Sequence, residues 1–216
     1  VYIKQELEAN SLAYQLNTYH RRSVFTDFSS HTLKNIYAEH PRIHYHFTSG
    51  DTALVAEKLD KGLYDFALIV EPPDLSRYNY IEIPESNLWG VVMQTSHPLS
   101  GQEHITVDDL IPYPIFTSQQ AFSVDFPRWC GEKIDRLNLL ASFNLSTNAA
   151  FFSKEGVGLT LSFDELINTN EKSGLTFRPL YPKLETKMYI IWKKYQVFTP
   201  AAELLLDEIK KATLPH

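Results

Sequence analysis

Thr48-Ser49-Gly50-Asp51-Thr52 gathers hydroxyls, a carboxylate and a glycine immediately ahead of a helical pattern. Ser49, Asp51 and Thr52 are residue types that accept backbone N–H bonds at a helix N-terminus. Such a turn, when it follows a strand, is also where open parallel sheets hold ligands, because free N–H groups and the helix dipole point out of it. The other chemistry-bearing residues read more plainly. His44 and His46 share one face of a strand by the two-residue period, but a metal site needs further ligands at suitable spacing. Cys130, next to Trp129 and Arg128, reads as a packed or surface thiol rather than a redox sensor. Gly156-x-Gly158 follows a helical pattern and precedes a strand, the reverse of a dinucleotide loop, so it reads as a helix stop. Asp108 and Asp109 fall in a first helical turn, where they suit the dipole better than acid–base chemistry. No G-x-S-x-G, H-E-x-x-H or P-loop occurs. The expectation is a chain that is not an enzyme and has no metal or cofactor.

Around the 48–52 turn, local structure follows from residue type. His44–Phe47 favours a strand; Leu54, Val55, Leu59 and Leu63 fall near one helical face; Gly62 suits the left-handed residue that ends a helix. Tyr64–Val70 is then an almost unbroken apolar run, as in a strand covered on both faces. Strand–turn–helix–strand units of this kind build parallel sheets.

Bulk properties narrow the class. The 216 residues are 44% hydrophobic, enough for a real core in one large domain or two small ones. A formal charge of −6 argues against this chain itself binding nucleic acid. The single cysteine excludes an intrachain disulfide framework and fits a reducing compartment. No segment approaches the ~20 apolar residues needed to span a membrane, and VYIKQELEAN lacks an apolar signal region. A soluble cytoplasmic protein is expected. The chain opens abruptly on a strand, as a piece of a longer protein would.

Further elements follow along the chain. Val1–Ile3 reads as a strand, and Leu7, Leu12, Leu16 and Tyr19 suggest a helix over 6–22 whose pattern continues to Pro41. Tyr80–Ile83 and Leu88–Met93 read as separate strands. Thr106 caps a short helix, Pro114–Phe116 is a buried strand, and 119–136 is a longer amphipathic segment. Leu139–Phe143, a helix over Thr147–Lys154 and strand Leu159–Leu161 come next, and Ser162-Phe163-Asp164-Glu165 reads as a capping box opening another helix. Leu175–Leu180 and Met188–Trp192 are strands, and Thr199-Pro200 opens the final helix. The alternation makes the fold α/β.

The ordered set HPRIHYHFTSGDTALVAEKLDKGLYDFALIV, LWGVVMQTSHPLS, ITVDDLIPYPIF, NLSTNAAFFSKEGVGLTLSF and MYIIWKKYQVFTPAAELLLDEI resembles the effector-binding domain of LysR-type transcriptional regulators over about residues 40–212. The resemblance implies a type 2 periplasmic-binding-protein-like fold, two Rossmann-like lobes joined by two crossover strands, with a small-molecule effector between them. By analogy, regulatory lobe I is 1–88 plus 194–216 and lobe II is 89–193. It also implies an N-terminal winged helix-turn-helix, absent from this chain, through which alone DNA would be bound. A homodimer through the regulatory domain, and a tetramer for the full-length protein, are implied too. The same fold leaves a solute-binding protein of a transport system as the alternative. One departure stands out. Where the family runs from its first strand into a short Gly/Ser/Thr turn, this chain has Lys4-Gln5-Glu6 and about a dozen extra residues before His40.

On this resemblance, three loops would meet the effector. Thr48, Ser49, Asp51 and Thr52 belong to lobe I. Thr117, Ser118 and Gln119 form the second loop; Asn144, Ser146, Thr147 and Asn148 form the third, both in lobe II. Each follows a strand and opens a helix, so hydroxyls, amides and backbone N–H groups could converge. The bland alternative is that they are ordinary helix caps. The loops carry no Arg or Lys, so an anionic effector would rely on dipoles and neutral donors; Asp51 and Glu6 would suit an amine instead.

Overall fold

The computed structural model describes residues 2–5, 8–14, 24–48, 52–70, 74–170 and 172–213. These divide into two compact units, which part between Ser86 and Asn87 and again between Thr186 and Lys187. Both partings fall inside strands: β5 (Tyr78–Gln94) and β10 (Glu185–Lys193) each carry residues of both units.

The first unit holds β1 (Tyr2–Gln5), β2 (Glu8–Tyr14), α1 (Val24–Glu39), β3 (His44–Thr48), α2 (Thr52–Asp60), β4 (Phe66–Val70) and α7 (Pro200–Thr213). β2 runs parallel to both β3 and β4, and β10 pairs antiparallel with β4 from Met188↔Val70 to Ile191↔Ala67. β4 is buried on both faces, as its apolar run requires. Phe66 and Leu68 face Ala201, Ala202, Leu205 and Ile209 of α7 and Ile36 of α1, whereas Ala67 and Ile69 face Val55 and Leu59 of α2. Phe66 also stacks on Phe198, with ring centroids 4.8 Å apart. Gly62 ends α2 at φ +70°, with its N–H donating to Leu59 and that of Leu63 donating to Lys58 at 3.0 Å. This is the paired bonding of a glycine-terminated helix.

Two expectations fail here. Glu8–Tyr14 is a strand, not part of a helix over 6–22. Leu12 and Ala13 are claimed by parallel pairing with Phe47 and Thr48 of β3, and Leu12–Tyr14 by pairing with Phe66–Leu68 of β4. A slot in a sheet overrides weak helical spacing. Lys4 and Gln5, expected where the family's first strand turns into a helix, are strand residues of β1, paired with Ala9 and Glu8 of β2. β1 is instead an antiparallel addition on β2 and β3.

The second unit holds α3 (Val107–Leu110), β6 (Pro114–Thr117), α4 (Gln119–Ser123), α5 (Asp125–Cys130), β7 (Asn138–Ser142), α6 (Ser146–Lys154), β8 (Leu159–Phe163) and β9 (Leu175–Pro179). β7, β6 and β8 are parallel neighbours, and β5 lies antiparallel to both β8 and β9. One face of this sheet packs Trp89, Val91, Met93, Ile115, Leu159 and Leu161 on Phe126 and Leu110; Val92 on the other meets Ala150 of α6 and Leu175.

Three further differences from expectation have physical causes. Tyr80–Ile83 and Leu88–Met93 are one strand, because Pro84 and its polar neighbours do not interrupt β5. The segment 119–136 is α4, α5 and a 3-10 turn at Gly131–Arg136, since a helix continued from α4 would drive the Pro127 ring into the Ser123 carbonyl. Ser162-Phe163-Asp164-Glu165 opens no helix: Ser162 and Phe163 end β8, and Glu165 turns at φ +62°.

Candidate functional site: strand-to-helix junctions

In the first unit the carboxyl ends of β2, β3 and β4 are neighbours, with Ala13 opposite Thr48 and Tyr14 opposite Leu68. Thr48 closes β3 and Thr52 is the first residue of α2, its hydroxyl oxygen buried. Ser49 and Asp51 lie outside the described residues. On β3, His44 is exposed, and burial pushes the Tyr45 phenol up to about 12.

The second unit brings the other two loops together. β6 and β7 are adjacent and parallel, pairing Thr117 with Ser142, and the Phe143 N–H donates to the Thr117 carbonyl at 3.0 Å just beyond that pair. The Thr117–Gln119 loop and the Asn144–Asn148 loop therefore leave the same sheet edge side by side. Thr117 is buried, and its hydroxyl donates to the Leu161 carbonyl on β8 at 3.2 Å. Ser118 caps α4, accepting from the Ala121 N–H at 3.0 Å. Exposed Gln119 donates to Ser123 at 3.3 Å. So for Ser118 the capping role is real, and its hydroxyl proton remains available to a further acceptor. Asn144 and Asn148 are exposed, while Ser146 and Thr147 are half-buried in the first turn of α6. That helix has Leu145 at its N-cap and no side-chain cap. The edge thus presents hydroxyl donors beside a positive helix end, an arrangement that receives acceptor or anionic groups.

The remaining candidates are structural. Asp109 closes a capping box with Thr106; burial opposes its ionisation, but the bonds from the Thr106 hydroxyl and N–H and from Gln102 leave its carboxyl below the usual range. Gly156 ends α6 at φ +75°, with its N–H donating to Ser153 and that of Val157 to Phe152, so this glycine is the helix stop expected of it. Cys130 is half-buried, its thiol donating to the Phe126 carbonyl at 3.0 Å, and burial pushes the thiol up. Among the described residues no group of three or more His, Cys, Asp or Glu is placed to hold a metal, and no helix is long and apolar enough to cross a membrane.

One residue of this edge escapes a reading of the sequence. Ser162 is 1% exposed, and its hydroxyl has no hydrogen-bond partner. Its placement in S-x-x-E disguised it as a cap; only the strand signal of the preceding Leu159-Thr160-Leu161 pointed the other way.

Comparison with known proteins agrees with this architecture. Solved structures of low sequence identity share the fold, three of them as follows. The effector binding domain of QuiR in complex with shikimate is 14% identical, TM-score 0.77, covering 94% of this chain and 96% of that one. The regulatory domain of CcmR from Synechocystis PCC6803 in complex with 2-PG is 16% identical, TM-score 0.73, covering 94% and 96%. HinK, a LysR family transcriptional regulator from Pseudomonas aeruginosa, is 15% identical, TM-score 0.71, covering 94% of this chain and 69% of that one. The fold is the type 2 periplasmic-binding-protein-like one. Residues 23–213 match the LysR substrate binding domain, and the chain belongs to that family.

Proposed function

We propose that this chain senses a small metabolite for a LysR-type transcription factor. Its two compact units serve as the two regulatory lobes, and the strand-to-helix junctions at Thr48–Thr52, Thr117–Gln119 and Asn144–Asn148 supply the effector contacts. The observation that carries this reading is the shared edge of β6 and β7, where the Phe143 N–H to Thr117 carbonyl bond sets Ser118 and the uncapped start of α6 side by side. Family membership and the complexes of QuiR with shikimate and CcmR with 2-PG support a small-molecule effector.

Binding shifts the population of regulatory-domain conformations, and that shift is passed to a DNA-binding domain. The chain acts as a homodimer in the cytoplasm and performs no catalysis. The test is a titration of amino acids, aromatic acids, dicarboxylates, sugars and nucleotides into the purified chain, with its mass followed by sedimentation. Saturable binding of one class by a dimer supports the reading; a monomer that binds none of them contradicts it.

A further inference from the structure

We propose that β1 is a displaceable wedge: inserted, it holds the first half of β2 away from β3, and withdrawn, it lets these two strands zip together behind the Thr48–Thr52 junction. The pairing registers carry this inference. Tyr2 stands opposite Ser11 of β2 and also opposite His46 of β3, and Ile3 and Lys4 have a partner on each side in the same way. A strand has only two edges, so over these residues β1 lies between β2 and β3. Directly beyond, the two are parallel neighbours, with Leu12 opposite Phe47 and Ala13 opposite Thr48. Neighbouring strands lie about 4.8 Å apart, so Ser11 and His46 stand about twice that distance apart across the inserted strand. The result is a fork, closed at Leu12 and Phe47 and open toward Glu8 and His44.

The register is already set for closure. Continued back from Leu12↔Phe47, the parallel pairing places Ser11 opposite His46, Asn10 opposite Tyr45 and Ala9 opposite His44, the residues that β1 now separates. β3 is the fixed arm, because Ile43 and Tyr45 pack into the core beneath α1 and α7. The Glu8–Ser11 half of β2 is the arm that moves, and β1 is joined to it through only the two residues between Gln5 and Glu8. Composition keeps the exchange balanced. Lys4, Glu8, Ala9 and Asn10 are residue types depleted in strands, so the ladders that hold β1 are weak. Withdrawal gives up four pairs with β2 and three with β3 and regains three between β2 and β3, while the freed residues recover conformational entropy. The inserted form is thus the major one, and the zipped form is a minor state within reach. The vertex of the fork adjoins Thr48, so the exchange acts on the strand end from which the lobe I junction departs.

The test is disulfide trapping in the full chain carrying Cys130→Ser, which removes its single thiol. A Tyr2→Cys, His46→Cys pair reports β1 in place, because opposed antiparallel residues have Cα atoms about 4.5–5.5 Å apart, within disulfide reach. A Ser11→Cys, His46→Cys pair reports closure, since its Cα atoms come within reach only when β1 has left. Each protein is oxidised with glutathione disulfide in native buffer, and the cross-link is followed by mass spectrometry. The first pair should close rapidly. The second should close slowly, and Ile3→Pro with Lys4→Pro should accelerate it by about tenfold or more, as a minor state becomes dominant. Adjacent prolines remove N–H groups on both edges of β1. Failure of the first pair to close overturns the proposal, and so do equal rates for the second pair with and without the prolines. A proline variant with no cooperative thermal transition overturns it too, since a strand the unit cannot fold without is no wedge. None of these outcomes bears on the sensing reading, which the metabolite titration decides.

Discussion

The indole N–H of Trp89 donates to the Thr186 hydroxyl at 2.7 Å, and that hydroxyl donates onward to the Asp125 carboxylate at 3.3 Å. All three residues are buried, so the chain Trp89–Thr186–Asp125 ties β5, β10 and α5 together inside the second unit. Arg128 stands 3.8 Å from the same carboxylate at the protein surface.

Thr186→Val keeps the shape but removes the hydroxyl between an N–H donor and a carboxylate. The expected loss is about 1–3 kcal/mol of unfolding free energy, measured by urea denaturation followed by circular dichroism. Thr186→Ser retains most of it. Equal losses in the two variants would mean that the hydroxyl bridge contributes nothing.

Two glycines separate steric from conformational cost. A Cβ on Gly90 would stand 2.5 Å from the Arg178 carbonyl as well as against the Phe177 ring, and a carbonyl in a sheet ladder cannot give way. Gly62 has nothing within 4 Å of its Cβ position, and only φ +70° resists substitution. Gly62→Ala should cost about 1–2 kcal/mol. Gly90→Ala should cost more, by overpacking. Denaturation midpoints give the order, and the reverse order would contradict the packing described.

His97 supplies a pH dependence. Its Nδ1 accepts the Leu99 N–H at 3.2 Å, its ring packs on Tyr113, and burial holds its pKa below the ordinary value. Between that depressed value and about 6.5 the unfolded chain binds more protons than the folded one, so stability rises with pH. The contribution is complete above the unfolded value and is lost as pH falls from there through the depressed folded value. His97→Asn keeps an acceptor at the cap and cannot titrate. Unfolding free energy measured from pH 7.5 to 5 should decline more steeply for wild type than for this variant; parallel curves would remove His97 from the account.

Where residue type alone decides a local structure, the sequence was a good guide. Gly62, Thr106, Gly156 and Pro200 mark helix ends through backbone geometry and capping that need no distant partner. The apolar runs at Phe66–Val70 and Leu159–Leu161 are buried on both faces as their composition demands. Legibility failed where a distant partner decides. Glu8–Tyr14 is a strand because β3 and β4 leave a place between them, and β5 passes Pro84 unbroken. Ser162 imitates a cap four residues wide, and only its pairing with Gly90 reveals a strand. For the site, the convergence of Ser118 with the start of α6 depends on the pairing of β6 with β7, which no local pattern encodes.

The central claim is that the junction residues grip a small molecule. The most direct test is a thermal-shift screen of the metabolite panel against wild type, Thr52→Ala and Thr147→Val. One compound class should raise the wild-type melting temperature saturably, by an amount that follows its concentration over its dissociation constant, and both variants should lose most of that rise while melting near wild type without ligand. A rise preserved in both variants would place the effector elsewhere and contradict the account.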